Sequence, residues 1–392
     1  MFHESRIARG RRGLLSLGLA LAVLVLAACG SSSGSGGSAA AGSPITIAIS
    51  APFTGDTADY GTQATNALKL AEKYYGSTIN GHPIKMVQFD DKCTGSGAEI
   101  AIRNALAENP VLIDGPACSS GVSAVQKTVQ SAGIPQLVGA YLPSLTTHGD
   151  TSFFRNVASD AQFAQVMTRF IKEKGYQRVA ILAGTASFSA GEGQALAAAL
   201  KQAGLPAVKD ISYTDGDTDF SGQIQSLKSA KPDAVFLASY DPDGARACAQ
   251  MKQLGLNAQC LGNESIAYAD SVQAGGAALN GAYAYAPFLP TELTQFVSAW
   301  KQEFGSEPDD ESYGLGYVGF AAALQAIKAA GPDPTPAKVS QLLHSRTFTV
   351  NLGIGKVRYA ASGDNACATM YIGQLSDNGK KFNMVKNESL HC

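Results

Sequence analysis

Two serines, Ser119 and Ser120, stand where a short apolar run meets a helical pattern. Val111-Leu112-Ile113 reads as a buried parallel strand. Asp114-Gly115-Pro116-Ala117 is turn chemistry. From Gly121 to Ala132, Val122, Val125 and Val129 recur on one helical face. Serine at such a junction can cap a helix, and the free N–H groups of a first turn form an anion site. Read alone, the segment favours a plain cap with nothing bound. Cys93 and Cys118 bracket it, and a bridge between them would tie two neighbouring loops at one edge of a sheet. Reactive chemistry is otherwise scarce. His82, His148, His344 and His391 are scattered, and no Cys-x-x-Cys occurs, so neither zinc nor a redox dithiol is expected. The chain has no Gly-x-Ser-x-Gly elbow and no Walker A loop. Gly191-Glu192-Gly193 lacks the third glycine of a dinucleotide loop. Ser119 has no histidine in a neighbouring predicted loop to act as its base. An enzyme is not expected, and no cofactor or metal is called for.

The elements that must position these residues alternate. Ile45–Ser50 reads as a first strand, and a helix follows from about Thr62 to Tyr75. Ile84–Phe89 is a strand, Ser96–Glu108 a helix, and Pro135–Val138 the next strand. The pattern repeats with helix Asp160–Lys174, strand Arg178–Ala183, helix Gly191–Ala203, strand Val208–Tyr213, helix Asp219–Ala230, strand Asp233–Ser239, helix Pro242–Leu254 and strand Ala258–Leu261. Helices return at Thr291–Phe304, Tyr313–Ala330 and Thr335–Leu343, and Ala368–Gln374 with Lys381–Val385 reads as a hairpin. Such alternation predicts an α/β fold with two mainly parallel sheets, each covered by helices on both faces. Ligands of open α/β sheets bind beyond the carboxyl ends of the strands. That rule selects the loops Thr54–Tyr60, Cys118–Ser120, Gly139–Tyr141, Thr185–Ala190, Tyr240-Asp241 and Asn263-Glu264. They come from both halves, so a ligand held between them would close two lobes.

The ends of the chain read differently. Arg6, Arg9, Arg11 and Arg12 precede an apolar run, Leu14–Ala28, too short for a comfortable membrane span. It ends in Leu26-Ala27-Ala28-Cys29, which resembles a bacterial lipoprotein signal and implies cleavage before Cys29 and a diacylglycerol on its thiol. The residues around Arg11-Arg12 match a twin-arginine signal poorly. Gly30–Ser43 is nearly all Gly, Ser and Ala, a flexible tether with a reach on the order of 20 Å. Lys+Arg number 30 and Asp+Glu 32, so nothing points to nucleic acid. Cys29 apart, six of the seven cysteines remain. An even set in an exported chain argues for disulfides, with fifteen connectivities open. Sequential pairing is the expectation: Cys93–Cys118, Cys248–Cys260 and Cys367–Cys392.

Several pieces together resemble a known family. They are Pro52-Phe53-Thr54-Gly55 with Tyr60-Gly61, Asp90-Asp91-Lys92-Cys93, Gly115–Ser120, Pro143-Ser144-Leu145-Thr146, Tyr176–Ile181, Gly191-Glu192-Gly193, Asp219-Phe220-Ser221, Pro232–Val235 and Gly262-Asn263-Glu264. In this order and spacing the chain resembles type I periplasmic-binding proteins, the leucine/isoleucine/valine-type receptors of ABC importers. The resemblance implies two lobes joined by three crossovers: 44–158 plus 286–364, and 159–285 plus 365–392, after a signal peptide (1–28) and a lipidated tether (29–43). It implies a monomer, anchored outside the cell membrane by Cys29, that passes a small polar ligand to an ABC permease. An amino acid of the branched-chain type is the expected ligand. A ligand sensor for a membrane receptor, or a receptor for an amide, urea-like or aromatic ligand, is the alternative.

The resemblance also implies roles. Ser119, Ser120 and nearby backbone N–H groups would hold an α-carboxylate. Gly139, Ala140 and Tyr141 would offer backbone groups. Tyr240 and Glu264 would come from the second lobe, with Glu264 pairing the ammonium. Tyr60 would wall the pocket, and Phe188 would stand in for an aromatic that the family often carries near Ala190. The family often has Thr or Ser where this chain has Tyr141. Each residue has a plainer role: Glu264 a solvated loop carboxylate, Tyr240 packing on its own lobe, Tyr60 a helix-entry staple. Tyr313 and Tyr317 read as core, Asp241 as an N-terminal helix device, and Asp215, Asp217 and Asp219 as turns and caps.

The anchor is directly testable. Cys29→Ser should release the protein from membranes, and the wild-type N-terminal peptide should carry the mass of a diacylglycerol. Unchanged membrane retention with an unmodified peptide would refute it.

Overall fold

The computed structural model describes residues 42–55, 57–308 and 316–390. The expected signal segment, Cys29, almost all of the expected tether, Tyr313 and Cys392 lie outside them. The first sheet is built from β1 (Ile45–Ala51), β2 (Thr78–Ile79), β3 (His82–Asp90), β4 (Leu112–Asp114), β5 (Gln136–Val138) and β6 (Phe153–Arg155), in the order β2-β3-β1-β4-β5-β6. β1 lies parallel between β3 and β4 and is buried along its whole length. Its period of two decides which core each residue feeds. Ile45, Ile47 and Ile49 face the core that includes Ala64, Leu68, Trp300, Phe320 and Leu324. Ala48 faces the other, with Ile102, Val125 and Val129. Helix α1 (Ala58–Tyr75) therefore covers one face, and α2 (Gly95–Ala107) and α3 (Ser119–Ala132) the other.

The second sheet follows the same logic. It contains β7 (Val179–Gly184), β8 (Lys209–Tyr213), β9 (Ala234–Ala238), β10 (Gln259–Gly262) and β11 (Tyr283–Ala286), all parallel. Helices α4 (Asp160–Lys174) and α5 (Ser187–Gln202) pack on Val179 and Ile181, while α6 (Ser221–Ala230) and α7 (Asp243–Gln253) pack on Ala180 and Leu182. Helix α8 (Ala269–Gly275) follows β10. The chain then returns to the first lobe. Helices α9 (Thr294–Phe304), α10 (Val318–Ala329) and α11 (Pro336–Ser345) and the small hairpin β12 (Thr347–Val350) and β13 (Gly355–Arg358) share the first core with β1. It crosses a third time to β14 (Thr369–Ser376) and β15 (Lys381–Ser389), which add antiparallel to β11. The result is two α/β lobes joined by three crossovers.

Local sequence explains the sharp boundaries. The side chain of Gln162 reaches the N–H of Ser159 in a capping box, and Gly175 closes α4 in the left-handed conformation, so Asp160–Lys174 is helical as expected. Helix α5 begins at Ser187, four residues before the expected start. Gly191 and Gly193 are not breakers there. A Cβ on Gly193 would stand 2.8 Å from the Cβ of Ala183, so glycine lets α5 lie close on β7. The short strands β6 and β11 and the hairpin β12–β13 were not expected. The serines are inside α3 rather than capping it, because Cys118 is the N-cap. Tyr317 is fully buried in the first core, as expected.

Cys93–Cys118 and Cys248–Cys260 are bridged. Cys93 follows β3 and Cys118 follows β4, so the first bridge spans the end of β1 in mid-sheet rather than joining loops of adjacent strands. Cys367 is disulfide-bonded, and its expected partner, Cys392, lies outside the described residues.

At the crossovers sits Arg155, whose side chain is wholly buried. Its Nε donates to Asp364 Oδ1 at 2.8 Å, and its terminal nitrogens donate to the carbonyls of Ala140 and Leu142. Its backbone N–H donates to Gly363 O at 2.8 Å. Nearby, Tyr359 Oη donates to Asn156 Oδ1 and Asn365 Nδ2 to Asn156 O. Arg155→Met should therefore cost about 3–5 kcal/mol, because it strands a carboxylate and two carbonyls. Lys301→Met, at an exposed pair with Glu307, should cost under about 1 kcal/mol. Urea unfolding midpoints compare the two, and equal midpoints would refute this role for Arg155.

Candidate ligand-binding site

Both sheets reverse strand order once, and the reversals face each other across the lobes. In the first it falls between β1 and β4, in the second between β7 and β9. Crevices open at the carboxyl ends of strands at such switch points. The loops after β1 and β4 bring Tyr60, Ala117, Cys118 and Ser119. The start of α5, after β7, brings Phe188, and the loop after β9 brings Tyr240 and Asp241. Gly139, Ala140 and Tyr141 follow β5. Glu264, Ser265 and Tyr268 follow β10. All of these line one cavity. About 40 Å³ of it is open to the centres of water-sized groups, which suits a small molecule rather than a peptide.

The first-lobe wall is rigid for identifiable reasons. Gly115 has φ +92° and passes so close to β1 that a Cβ would overlap Ser50 O at 1.9 Å. That approach sets Ala117, Cys118 and Ser119 at the head of α3, whose first-turn N–H groups point toward the cavity end of the helix. Arg155 holds the carbonyls of Ala140 and Leu142, and the carbonyl of Tyr141 accepts from Asp160 N at 2.9 Å. Ser120 is turned away, and its Oγ donates to Cys93 O at 3.3 Å. It does not line the cavity, unlike the other eight expected ligand residues.

A row of rings, all but Tyr141 from the second lobe, runs beside the cavity. Tyr285 stacks on Phe163 at 4.2 Å, Phe163 meets Tyr141 at 6.1 Å, Tyr141 meets Phe188 at 5.7 Å, and Phe188 meets Tyr240 at 4.9 Å. Tyr240 thus both packs on its own lobe and lines the cavity. Tyr60 sits in the first turn of α1 and lines it too. Asp241 is a correction. Pro242, not Asp241, is the N-cap of α7, and Asp241 forms part of the cavity wall. Asp215, Asp217 and Asp219 do serve turns and caps: Asp215 accepts from Ala186 N and Ser189 Oγ, Asp217 from Thr214 N and Asp219 from Ser221 N.

Behind the second-lobe wall lies a buried acid network that sequence reasoning missed. Tyr285 Oη donates to Glu192, and lies 3.5 Å from Asp160 Oδ1. Asn263 Nδ2 donates to Glu192 Oε2 at 2.8 Å and to Ser239 O at 2.9 Å. Ser265 Oγ donates to Asn263 Oδ1 at 2.6 Å. Glu192 thereby grips the residues on either side of Glu264. No sequence signal marks this: Glu192 lies between two glycines of a helix, and its burial depends on β9, β10 and β11 together.

Burial dominates the titration of these acids. It pushes Glu192 well above the usual carboxylate range, and the neighbouring Asp160 and Glu264 push the same way. It raises Asp160 from 3.8 to about 7, although the Arg155 charge and the Tyr285 hydroxyl pull down. A carboxyl with a raised folded pKa lends stability that is complete below its unfolded pKa and is lost as pH rises through the folded one. The ligand-free melting temperature should therefore fall between about pH 4 and about pH 7. Asp160→Asn, which stays neutral, should flatten that fall. Thermal melts of both proteins across the range measure it, and parallel curves would count against a neutral Asp160.

Comparison with known proteins agrees with this geometry. Residues 44–380 match the model of the periplasmic binding protein family. The leucine-, isoleucine-, valine-, threonine- and alanine-binding protein of Pseudomonas aeruginosa is 27% identical over 79% of this chain and 85% of its own. The Leu/Ile/Val-binding protein of Escherichia coli is 24% identical over 82% and 88%. In fold, the leucine-binding protein LivK of Thermotoga maritima superposes with a TM-score of 0.79 at 22% identity, over 88% of this chain and 98% of that one. A solute-binding protein of Rhodopseudomonas palustris, in complex with 3,4-dihydroxybenzoic acid, reaches 0.77 at 22% identity over the same shares. With two α/β lobes, three crossovers and a cavity at the facing switch points, the chain belongs to the periplasmic binding protein family.

Proposed function

We propose that this chain captures a small α-amino acid between its lobes and passes it to an ABC permease in the membrane. One observation carries the reading. Ser119 and the head of α3 lie on one side of a cavity whose other side holds Glu264. A helix N-terminus favours a carboxylate and a carboxylate favours an ammonium, so the two walls suit the two ends of a zwitterion. The relatives named for leucine, isoleucine, valine, threonine and alanine supply the reference ligands. Ligand contacts are assigned to Tyr60, Ser119, Gly139, Ala140, Tyr141, Phe188, Tyr240 and Glu264. The lobes 44–158 plus 286–364 and 159–285 plus 365–392 are the bodies that close. The protein acts as a monomer, held outside the membrane by lipid on Cys29. Binding without turnover is part of this reading, supported by relatives named as binding proteins.

Glu264→Gln should remove the counter-charge of a buried ammonium, at about 2–5 kcal/mol. That is roughly a 30-fold to several-thousand-fold loss of affinity. Ser119→Ala should cost about 1–2 kcal/mol, because the backbone donors stay. Calorimetric titration of both variants with the reference amino acids, beside ligand-free melts, checks the order. Wild-type affinity in Glu264→Gln would exclude an ammonium at that wall, and the amino-acid reading with it.

A further inference from the structure

The zwitterion leaves one wall charge unanswered. Among the described residues that line the cavity, Asp241 and Glu264 are the charged side chains, and no Lys, Arg or His accompanies them. The ligand's ammonium answers Glu264, and its carboxylate is answered at Ser119. Asp241 has no such counterpart. It forms no ion pair among the described residues; burial raises its carboxyl above the usual range, and the charges of Asp270 and Asp243 push the same way. Tyr240, the residue before it, has its hydroxyl in the field of Asp215, Asp160, Glu264 and Asp241. The second-lobe side of the cavity thus carries two carboxyls, of which one ammonium answers one.

An aliphatic side chain closed against Asp241 would strip water from a carboxylate and offer nothing back. A positive group would replace that water with a charge-assisted contact. The rings at this side suit it too. Tyr141, Phe188 and Tyr240 line the same cavity, and aromatic faces attract cations within about 6 Å.

We propose that the ligand is a cationic α-amino acid, with an amine or guanidinium on its side chain, and that Asp241 selects it. The proposal rests on the amino-acid reading for the α-carbon end, and adds the class of side chain.

The test is calorimetric titration of the mature chain with L-leucine, L-ornithine, L-arginine and the diamine cadaverine, in wild type, Asp241→Asn and Asp241→Ser. Ornithine or arginine should bind wild type at least about tenfold tighter than leucine, the ratio that one modest charge contact gives. Both variants should erase most of that ratio while leucine changes by less than about threefold, as expected where no charge contact is lost. Two variants guard against one that fails to fold, and melts report which do. Leucine binding wild type as tightly as the cationic amino acids would overturn the proposal, as would a ratio unmoved in a folded variant. Cadaverine separates the two readings. If no α-amino acid binds but cadaverine does, and Asp241→Asn weakens it, the amino-acid reading falls and the role of Asp241 stands. If none of the four binds, both fall.

Discussion

The buried guanidinium of Arg155 is the contact on which the two-lobed arrangement turns. A charge with no exposed surface survives only when its donors are occupied. Here they meet Asp364 on the third crossover and the carbonyls of Ala140 and Leu142 beside the cavity. One side chain therefore fixes both the place where the lobes join and the loop that offers backbone groups to a ligand. The neighbouring bonds of Asn156 to Tyr359 and Asn365 bind the first crossover to the third. Lobe closure about such a joint keeps the Gly139–Tyr141 loop in register with the hinge rather than letting it drift.

The two walls of the cavity are built by different means. The first relies on backbone: a glycine pressed against β1, a helix head and a disulfide across the end of β1. The second relies on side chains, with Glu264 lying between Asn263 and Ser265; Glu192 holds Asn263, and Asn263 holds Ser265. This division suits a ligand with unlike ends. Dipoles of the backbone need no counter-ion and cannot be titrated, whereas buried carboxyls give a strong negative field and carry a desolvation cost. Burial raises the pKa of both Asp160 and Glu192, which favours their protonated forms and so lowers that cost.

Much of the architecture was legible in the sequence. Alternating apolar runs and helical periods placed both sheets, because a parallel strand buried on two faces must be apolar throughout. The capping box at Ser159 and Gly175 delimited α4, since those signals act within one turn. The rule of strand carboxyl ends selected loops that do meet at one cavity, and sequential pairing named the Cys93–Cys118 and Cys248–Cys260 bridges. These features depend on neighbours in sequence or on a topology that alternation imposes.

What escaped depends on partners far away in the chain. β6 and β11 are three and four residues long, and only ladders to β5, β10 and β14 make them strands. Ser119 and Ser120 are adjacent and chemically alike, yet one lines the cavity and the other is engaged by Cys93 O, because successive helical residues point about 100° apart. Asp241 read as a local helix device until the opposing lobe turned it into a wall. Local sequence set most of the elements, the two sheets and the loops from which a site must be drawn. Tertiary structure alone decided which side chains in those loops face the cavity and which acids are buried behind it, since burial and field are properties of surfaces brought together from both lobes.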